Sequence, residues 1–283
     1  MNERHSRVGL VIRYGLLILF ALIFLGPFAI QIANSFKTDA AATSNTLALI
    51  PHPGTFSAWK QIFGISTAGV TDFPRWLVNS IFVSVVLTIS HVGLDSMAGY
   101  ALARLEFRGR RLVFGFIIAT LAVPNVVLLI PQFLVLKQLG LFNTYQGMII
   151  PISVDAAGIY MMRQFFLQVP AALEEAARLD GASIWTTYWR VVLPIVRPGL
   201  ITLTILSFQG AWNQFAFFLV ATISPQYFTL TTGLANVVSG GLSAGNQYPL
   251  KLGAALLTTL PVGVLFFIFQ KYLNRSRLEG SLK

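Results

Sequence analysis

Cysteine is absent from the 283 residues. That excludes disulfides and thiolate metal sites but leaves the compartment open. Charge is scarce too: 11% of the chain is Asp, Glu, Lys or Arg, against about 25% in ordinary soluble proteins. No Gly-x-x-x-x-Gly-Lys-Ser/Thr phosphate loop occurs, so the chain is not expected to hydrolyse ATP. Neither Asp95 nor Asp155 has a Gly-x-Gly-Asp context, which argues against the acid–base dyad of an intramembrane protease. Acidic residues number 10 against 20 basic ones, a formal charge of +10.

What is abundant is apolar. Hydrophobic residues make up 55% of the chain, and the mean hydropathy is +0.71. Such a chain cannot cover a soluble core with polar surface. Several runs exceed the ~18 apolar residues that suggest a bilayer span. The expected class is an all-α integral membrane protein with about six transmembrane helices. They lie near residues 10–31, 76–103, 112–136, 144–167, 199–220 and 250–272. The first run is too long for a signal-peptide core and reads as a retained span. Pro124, Pro131, Pro151 and Pro261 fall inside spans. Each removes a backbone donor and kinks or breaks its helix.

Six spans place both termini on one side. That side holds 15 of the 20 basic residues, among them Arg104, Arg108, Arg110, Arg111, Arg163, Arg178, Arg190 and Arg197. The other side holds Lys37, Lys60, Arg75, Lys137 and Lys251. The positive-inside rule then puts both termini in the cytoplasm of a multi-pass membrane protein. The basic excess needs no nucleic-acid partner. Trp59, Trp76 and Tyr272 suit interfacial anchors. The external segments 34–75 and 222–249, the latter with Gly233, Gly240, Gly241 and Gly245, are connectors or contacts for an external partner.

One polar island, 169–197, falls on the cytoplasmic side. Pro170 suits the first turn of a helix. Glu174 and Glu175 favour its N-terminal dipole. Gly181 fits a left-handed C-terminal position. Ser183 caps a second short helix that is expected to stop at Pro194. Ile184/Tyr188 and Trp185/Trp189 are spaced four apart, so each pair shares a face. The result is a helix–turn–helix beneath the membrane, which either rests on lipid headgroups or offers a surface to a soluble partner.

Glu175, Ala176 and Ala177, then Asp180, Gly181 and Ala182, then Leu193 and Pro194, resemble the EAA loop of permease subunits of bacterial ABC importers. Other segments resemble the same family: Asn79 and Ser80; Tyr100 to Arg104; Gly140 to Tyr145; Arg163 to Phe166; Gly210 to Gln214; and Gly253 through Pro261 to Lys271. The likeness covers about 76–273 and is greatest to the carbohydrate-uptake, MalG-like branch, with its MetI-like transmembrane domain. It implies three parts. Residues 1–75 hold the N-terminal tail, first helix and external loop. Residues 76–273 form the permease domain with its coupling loop at 169–197. Residues 274–283 form a cytoplasmic tail, which lacks the Gly-rich ending of many relatives, so no regulatory role is carried over to it.

The resemblance also implies partners. They are a second, larger permease subunit, two ATP-binding-cassette ATPase subunits that hold ATP and Mg, an extracytoplasmic solute-binding protein, and membrane lipid. No cofactor or metal is expected on this chain. ATPase coupling is expected at Glu174, Glu175, Ala176, Ala177, Asp180, Gly181, Ala182, Trp185 and Tyr188. The cargo is a sugar, an oligosaccharide or a glycerol-phosphate-like polyol, delivered to an outward-open state and released by two-state rocking. Trp212, Asn213, Gln214 and Phe215 offer an aromatic face beside amides, which suits a sugar. Asp155, expected half-way through the fourth span, lines that pathway or pairs with another group. His91 and Asp95, four apart, are expected to pair with each other. The competing classes are a proton-coupled secondary transporter using Asp155 or His91 as a relay, and a purely structural membrane subunit.

The orientation is testable. A cysteine at Ser183 should react with a membrane-impermeant thiol reagent only in inside-out vesicles, and one at Ser239 only in right-side-out cells. The opposite pattern contradicts the charge-based topology.

Overall fold

The computed structural model describes residues 7–64, 72–239 and 247–280. Arg4, Gly240, Gly241, Gly245 and Lys283 lie outside the described residues, as do the side chains of Tyr272 and the tail. Among the described residues the chain is helical, with no strand. In order the helices are α1 (Arg7–Ser35), α2 (Asp39–Ser44), α3 (Ser57–Ile62) and α4 (Phe73–Ser90). A π-helical turn, His91–Asp95, joins α4 to α5 (Ser96–Arg104). Next come α6 (Arg110–Leu121), α7 (Asn125–Gln138), α8 (Tyr145–Ile149), a 3-10 turn (Ile150–Ile152) and α9 (Ala156–Leu167). Then follow α10 (Ala171–Leu179), α11 (Ile184–Thr186), a second π turn (Thr187–Val192), α12 (Leu193–Ile195) and α13 (Arg197–Trp212). The last are α14 (Ala216–Ala221), α15 (Leu230–Ser239) and α16 (Tyr248–Gly280).

All six expected spans are helical, but three are broken. Among the described residues, two helices are long and apolar enough to cross a membrane alone, Gly9–Ser35 and Phe73–Arg104. The count reaches four if each strongly bent pair is one span. The third expected span bends by 106° between α6 and α7, where Pro124 is the N-cap of α7. The fourth breaks at residues 150–155, and the fifth at 213–215. Large apolar side chains stay exposed along α1, α6 and α7, among them Val11, Phe24, Phe116 and Ile130. Exposed apolar surface on that scale is what a lipid-facing helix requires.

The chain forms two compact units, Met1–Phe73 with Leu234–Leu260, and Pro74–Gly233 with Pro261–Lys283. In the first, Lys37 is 1% exposed. Its ammonium donates to Asn34 Oδ1 at 3.0 Å, the Asn45 carbonyl at 2.8 Å and the Ala48 carbonyl at 2.8 Å. Its three donors are thus satisfied, which makes burial of the charge tolerable. Lys37 therefore ties the segment after α1 to the helix end instead of serving as an exposed topological charge. Trp59 stacks on Phe36 at 5.4 Å.

In the second unit, α5 packs on α9 at very short range. A Cβ at Gly99 would lie 2.9 Å from both Arg163 N and Met162 Cβ, so a side chain there has no room. Around this contact lies a core of Tyr100, Met162, Phe166, Tyr188, Val192 and Leu203. A second core gathers Val83, Leu87, Leu136, Met148, Phe217 and Phe218. Trp76 is 5% exposed and donates to the Pro225 carbonyl at 3.2 Å. It is a core residue, not the expected interfacial anchor, because Gly233 leaves space for its ring. The motif residues Asn79 and Ser80 are structural clasps. Asn79 Nδ2 donates to the carbonyls of Gln226 and Phe228 at 2.9 and 2.8 Å, and its Oδ1 accepts from Tyr145 Oη at 2.7 Å. Ser80 Oγ accepts from Leu230 N at 2.7 Å.

Gly99→Leu should lower thermal stability in detergent by ~1–3 kcal/mol, as overpacking does. Gly115→Ala, where a Cβ meets open space, should leave the melting profile unchanged. Equal behaviour of the two variants contradicts the close packing of α5 on α9.

Candidate functional site

The polar island folds as a helical hairpin. Pro170 takes the N-cap position of α10, one residue before the first turn. At the other end Gly181 has φ +80°, a conformation that costs glycine little. The Ala182 amide donates to the Ala177 carbonyl at 2.9 Å and the Gly181 amide to the Arg178 carbonyl at 3.0 Å. This 6→1 and 5→2 pattern is a Schellman stop. Ser183 Oγ then accepts from Thr186 N at 3.2 Å and caps the next helix. That helix runs through Ile195 instead of stopping at Pro194. A π turn, Thr187–Val192, precedes the short helix that holds Pro194 near its start, where a missing amide hydrogen is tolerated.

The hairpin has an inner and an outer face. Tyr188 is 2% exposed, with its hydroxyl 2.8 Å from Ser96 Oγ and its ring against Tyr100 and Phe166. Glu174 is buried as well. Its Oε1 lies 3.0 Å from Arg104 Nε, and its Oε2 accepts from Tyr100 Oη at 3.1 Å. The guanidinium directs its hydrogens at the Phe166 carbonyl, with Nη2 at 2.6 Å, and at the Val169 carbonyl. Of the expected coupling residues, Glu174 and Tyr188 thus fasten the hairpin from within. Glu175, Ala176, Asp180, Gly181 and Trp185 are exposed, while Ala177 and Ala182 are half-buried. Leu179 is 90% exposed and Trp185 61%. Trp185 and Trp189 each pack against Tyr188 at 6.1 and 5.2 Å. Ile184 and Tyr188 line one hollow, and Trp185 and Trp189 are both exposed. An apolar hollow of about 380 Å³ lies between α5 and the hairpin.

The second feature is a cavity of about 1250 Å³ inside the second unit. Broken helices form its wall. His91, Thr120, Asn125, Gln132, Asp155 and Gln214 supply polar groups, and Leu87 and Phe116 apolar surface. Asp155 is not mid-helix. It is the exposed N-cap of α9, and its Oδ2 accepts from Gly158 N at 3.1 Å. Its own amide donates to Asp95 Oδ1 at 3.0 Å. His91 and Asp95 do not pair with each other. His91 Nε2 lies 2.7 Å from the Ile152 carbonyl, which only accepts, so Nε2 carries the hydrogen. The π turn at 91–95 rotates both groups onto the break at 150–155. Asp95 Oδ2 has no hydrogen-bond partner among the described residues and packs on Gly158.

Of the expected pathway residues, Asp155 and Gln214 line this cavity. Trp212 is 2% exposed and stacks on Phe208 at 5.7 Å, so it belongs to the core. Asn213 and Phe215 are exposed at the break but do not belong to the wall. Residue reading missed Arg104 as the partner of Glu174. The available signal was Tyr100 and Arg104, four apart on one helix face in a segment that resembles the same family. No group of three or more potential metal ligands occurs among the described residues.

The family model for binding-protein-dependent transport system inner membrane components matches residues 96–278, which include the hairpin. The arabinooligosaccharides transport system permease protein AraQ of Halalkalibacterium halodurans is 32% identical over 93% of this chain and 92% of its own. The trehalose/maltose transport system permease protein MalG of Thermococcus litoralis is 30% identical over 94% of each. In three dimensions the chain is similar to a chain of a bacterial ABC transporter involved in import of the acidic polysaccharide alginate. The TM-score is 0.81 at 26% identity, covering 96% of this chain and 99% of the other.

Removing one partner of the buried ion pair strands the other. Glu174→Gln and Arg104→Met should each cost ~3–5 kcal/mol of stability, read as a drop in unfolding temperature of the purified protein. Glu175→Gln, on the exposed side of the same helix, should cost less than ~0.5 kcal/mol. A loss at Glu175 as large as at Glu174 contradicts the inner/outer division.

Proposed function

The chain belongs to the family of binding-protein-dependent transport system inner membrane components, and from that premise we propose that it is a permease subunit of an ATP-binding-cassette importer for a carbohydrate. The hairpin 170–195 carries this reading. A polar helical turn that exposes Leu179, Trp185 and Trp189, yet is fastened from within by a buried ion pair, has the form of a rigid contact for a soluble partner. The partner is an ATPase subunit that supplies the nucleotide chemistry this chain lacks. ATP and Mg sit on that partner. A second permease subunit completes the pore, and an extracytoplasmic binding protein delivers the sugar. Both termini are cytoplasmic. The names of the relatives support a sugar or oligosaccharide cargo. They give no support to a proton-coupled relay at Asp155 or His91.

The mechanism follows from rigidity. Closure of the ATPases moves the hairpin as a body. Glu174 and Tyr188 fix the hairpin to α5 through Arg104, Tyr100 and Ser96, and α5 continues α4 as one helix. Movement at the hairpin therefore reaches the cavity wall, where Asp155 and Gln214 face the sugar. A two-state rearrangement of packed helices does the work, and a ligand biases it only through different affinity for the two states.

Gly181→Val should abolish coupled uptake, because a β-branched residue takes a positive φ at high cost. Gly181→Asn should retain most of it. Gln214→Ala should lower uptake several-fold while assembly persists, in line with ~1 kcal/mol for a lost hydrogen bond. Normal uptake and ATPase co-purification in Gly181→Val contradict the coupling role.

A further inference from the structure

The cavity is charged with one sign. Among its described wall residues there is no lysine or arginine, and Asp155 presents an exposed carboxylate to it. Thr120, Asn125, Gln132, Ser207 and Gln214 contribute neutral polar groups. His91 commits Nε2 to the Ile152 carbonyl.

The break at 150–155 sharpens the point. A broken helix in a transporter commonly aims its N-terminal amides at an anionic group of the substrate. In this chain the N-terminus of α9 already has its anions. Asp155 Oδ2 accepts from Gly158 N at 3.1 Å, and Asp95 Oδ1 accepts from Asp155 N at 3.0 Å. Two carboxylates of the chain thus already occupy two of the amide donors at this helix start, those of Gly158 and Asp155, and stand where a phosphate or uronate would approach. The positive end of the helix dipole is answered by the same groups.

We propose that this wall admits neutral saccharides and rejects anionic ones, with Asp155 as the specificity-determining residue on this subunit. The inference rests on the reading of the cavity as the sugar route. A neutral sugar suits the wall chemically. Its hydroxyls donate to the carboxylate and exchange hydrogen bonds with Asn125, Gln132 and Gln214, and its apolar ring faces meet Leu87 and Phe116. A phosphate or uronate instead meets a carboxylate of its own sign, which repels it. The exclusion separates this chain from the alginate importer whose fold it shares, since that cargo is acidic.

The test uses the assembled complex with Gly210→Cys in this chain. Position 210 lines the cavity, and a Cβ there meets nothing within 4 Å. The chain has no other cysteine, so its mass shift reports this site alone. Rates are measured with the cationic trimethylammonium-ethyl and the anionic sulfonatoethyl methanethiosulfonates, each divided by its rate with free mercaptoethanol. The corrected cation-to-anion ratio should exceed about 5 and fall at least about threefold in Asp155→Asn, which keeps the helix cap. A ratio at or below unity, or one unmoved by Asp155→Asn, overturns the proposal. So does ATP-driven uptake of an alginate oligosaccharide by the complex. Trapping the ATPase subunits with ATP and vanadate should change the labelling rate at least about fivefold. An unchanged rate, or no labelling by either reagent, rejects the route itself and with it the proposal built upon it.

Discussion

The second unit depends on one buried guanidinium. Arg104 ends α5 and reaches across to the carbonyls of Phe166 and Val169, which close α9 and lead into the hairpin. Its charge is balanced by Glu174, the carboxylate that α10 turns inward. A buried ion pair adds little net stability over an apolar contact, but breaking it is costly. Its value here is geometric. A planar donor set satisfies two carbonyls and faces a carboxylate at once, so α5, the end of α9 and α10 can meet in one arrangement. Tyr100, one helical turn earlier, reaches the same carboxylate.

The same logic recurs wherever a helix breaks. Irregular backbone within an apolar protein is tolerated only where its polar groups find partners or line a cavity. At 150–155 the partners are His91 and Asp95. At 213–215 the Gln214 carbonyl accepts from Thr231 Oγ1 at 3.0 Å. Near 140–145, Asn143 adopts φ +59°, and its Oδ1 accepts from Ile223 N and Ser224 N at 3.1 and 3.0 Å. Polar side chains that look misplaced in a hydropathy profile are the ones that allow these breaks.

That pattern explains what could be read from residues alone. Gly181 and Ser183 act through local backbone geometry, so stop and cap were legible without tertiary knowledge. The apolar runs were legible as helices, since composition reports burial in lipid. The breaks were not, because hydropathy averages across Asp155 and Asn213 without seeing where the backbone turns. Nor was the π turn at 91–95. The Ser96 hydroxyl binds the carbonyls of Val92 and Gly93 and also meets Tyr188 from the hairpin. Spacing by four put His91 and Asp95 on one face, and they do meet the same break, but each bonds to its backbone, at the Ile152 carbonyl and the Asp155 amide, instead of to the other. Trp76 went from anchor to core for a similar reason, since Gly233 made room for its ring.

The central claim is that the hairpin drives the cavity wall through the Arg104–Glu174 contact. The most direct measurement is the ratio of sugar moved to ATP hydrolysed by the assembled complex in proteoliposomes, comparing the native chain with Glu174→Gln. The account predicts that the variant complex still hydrolyses ATP while moving several-fold less sugar per ATP. An assembled Glu174→Gln complex with the native ratio would contradict it.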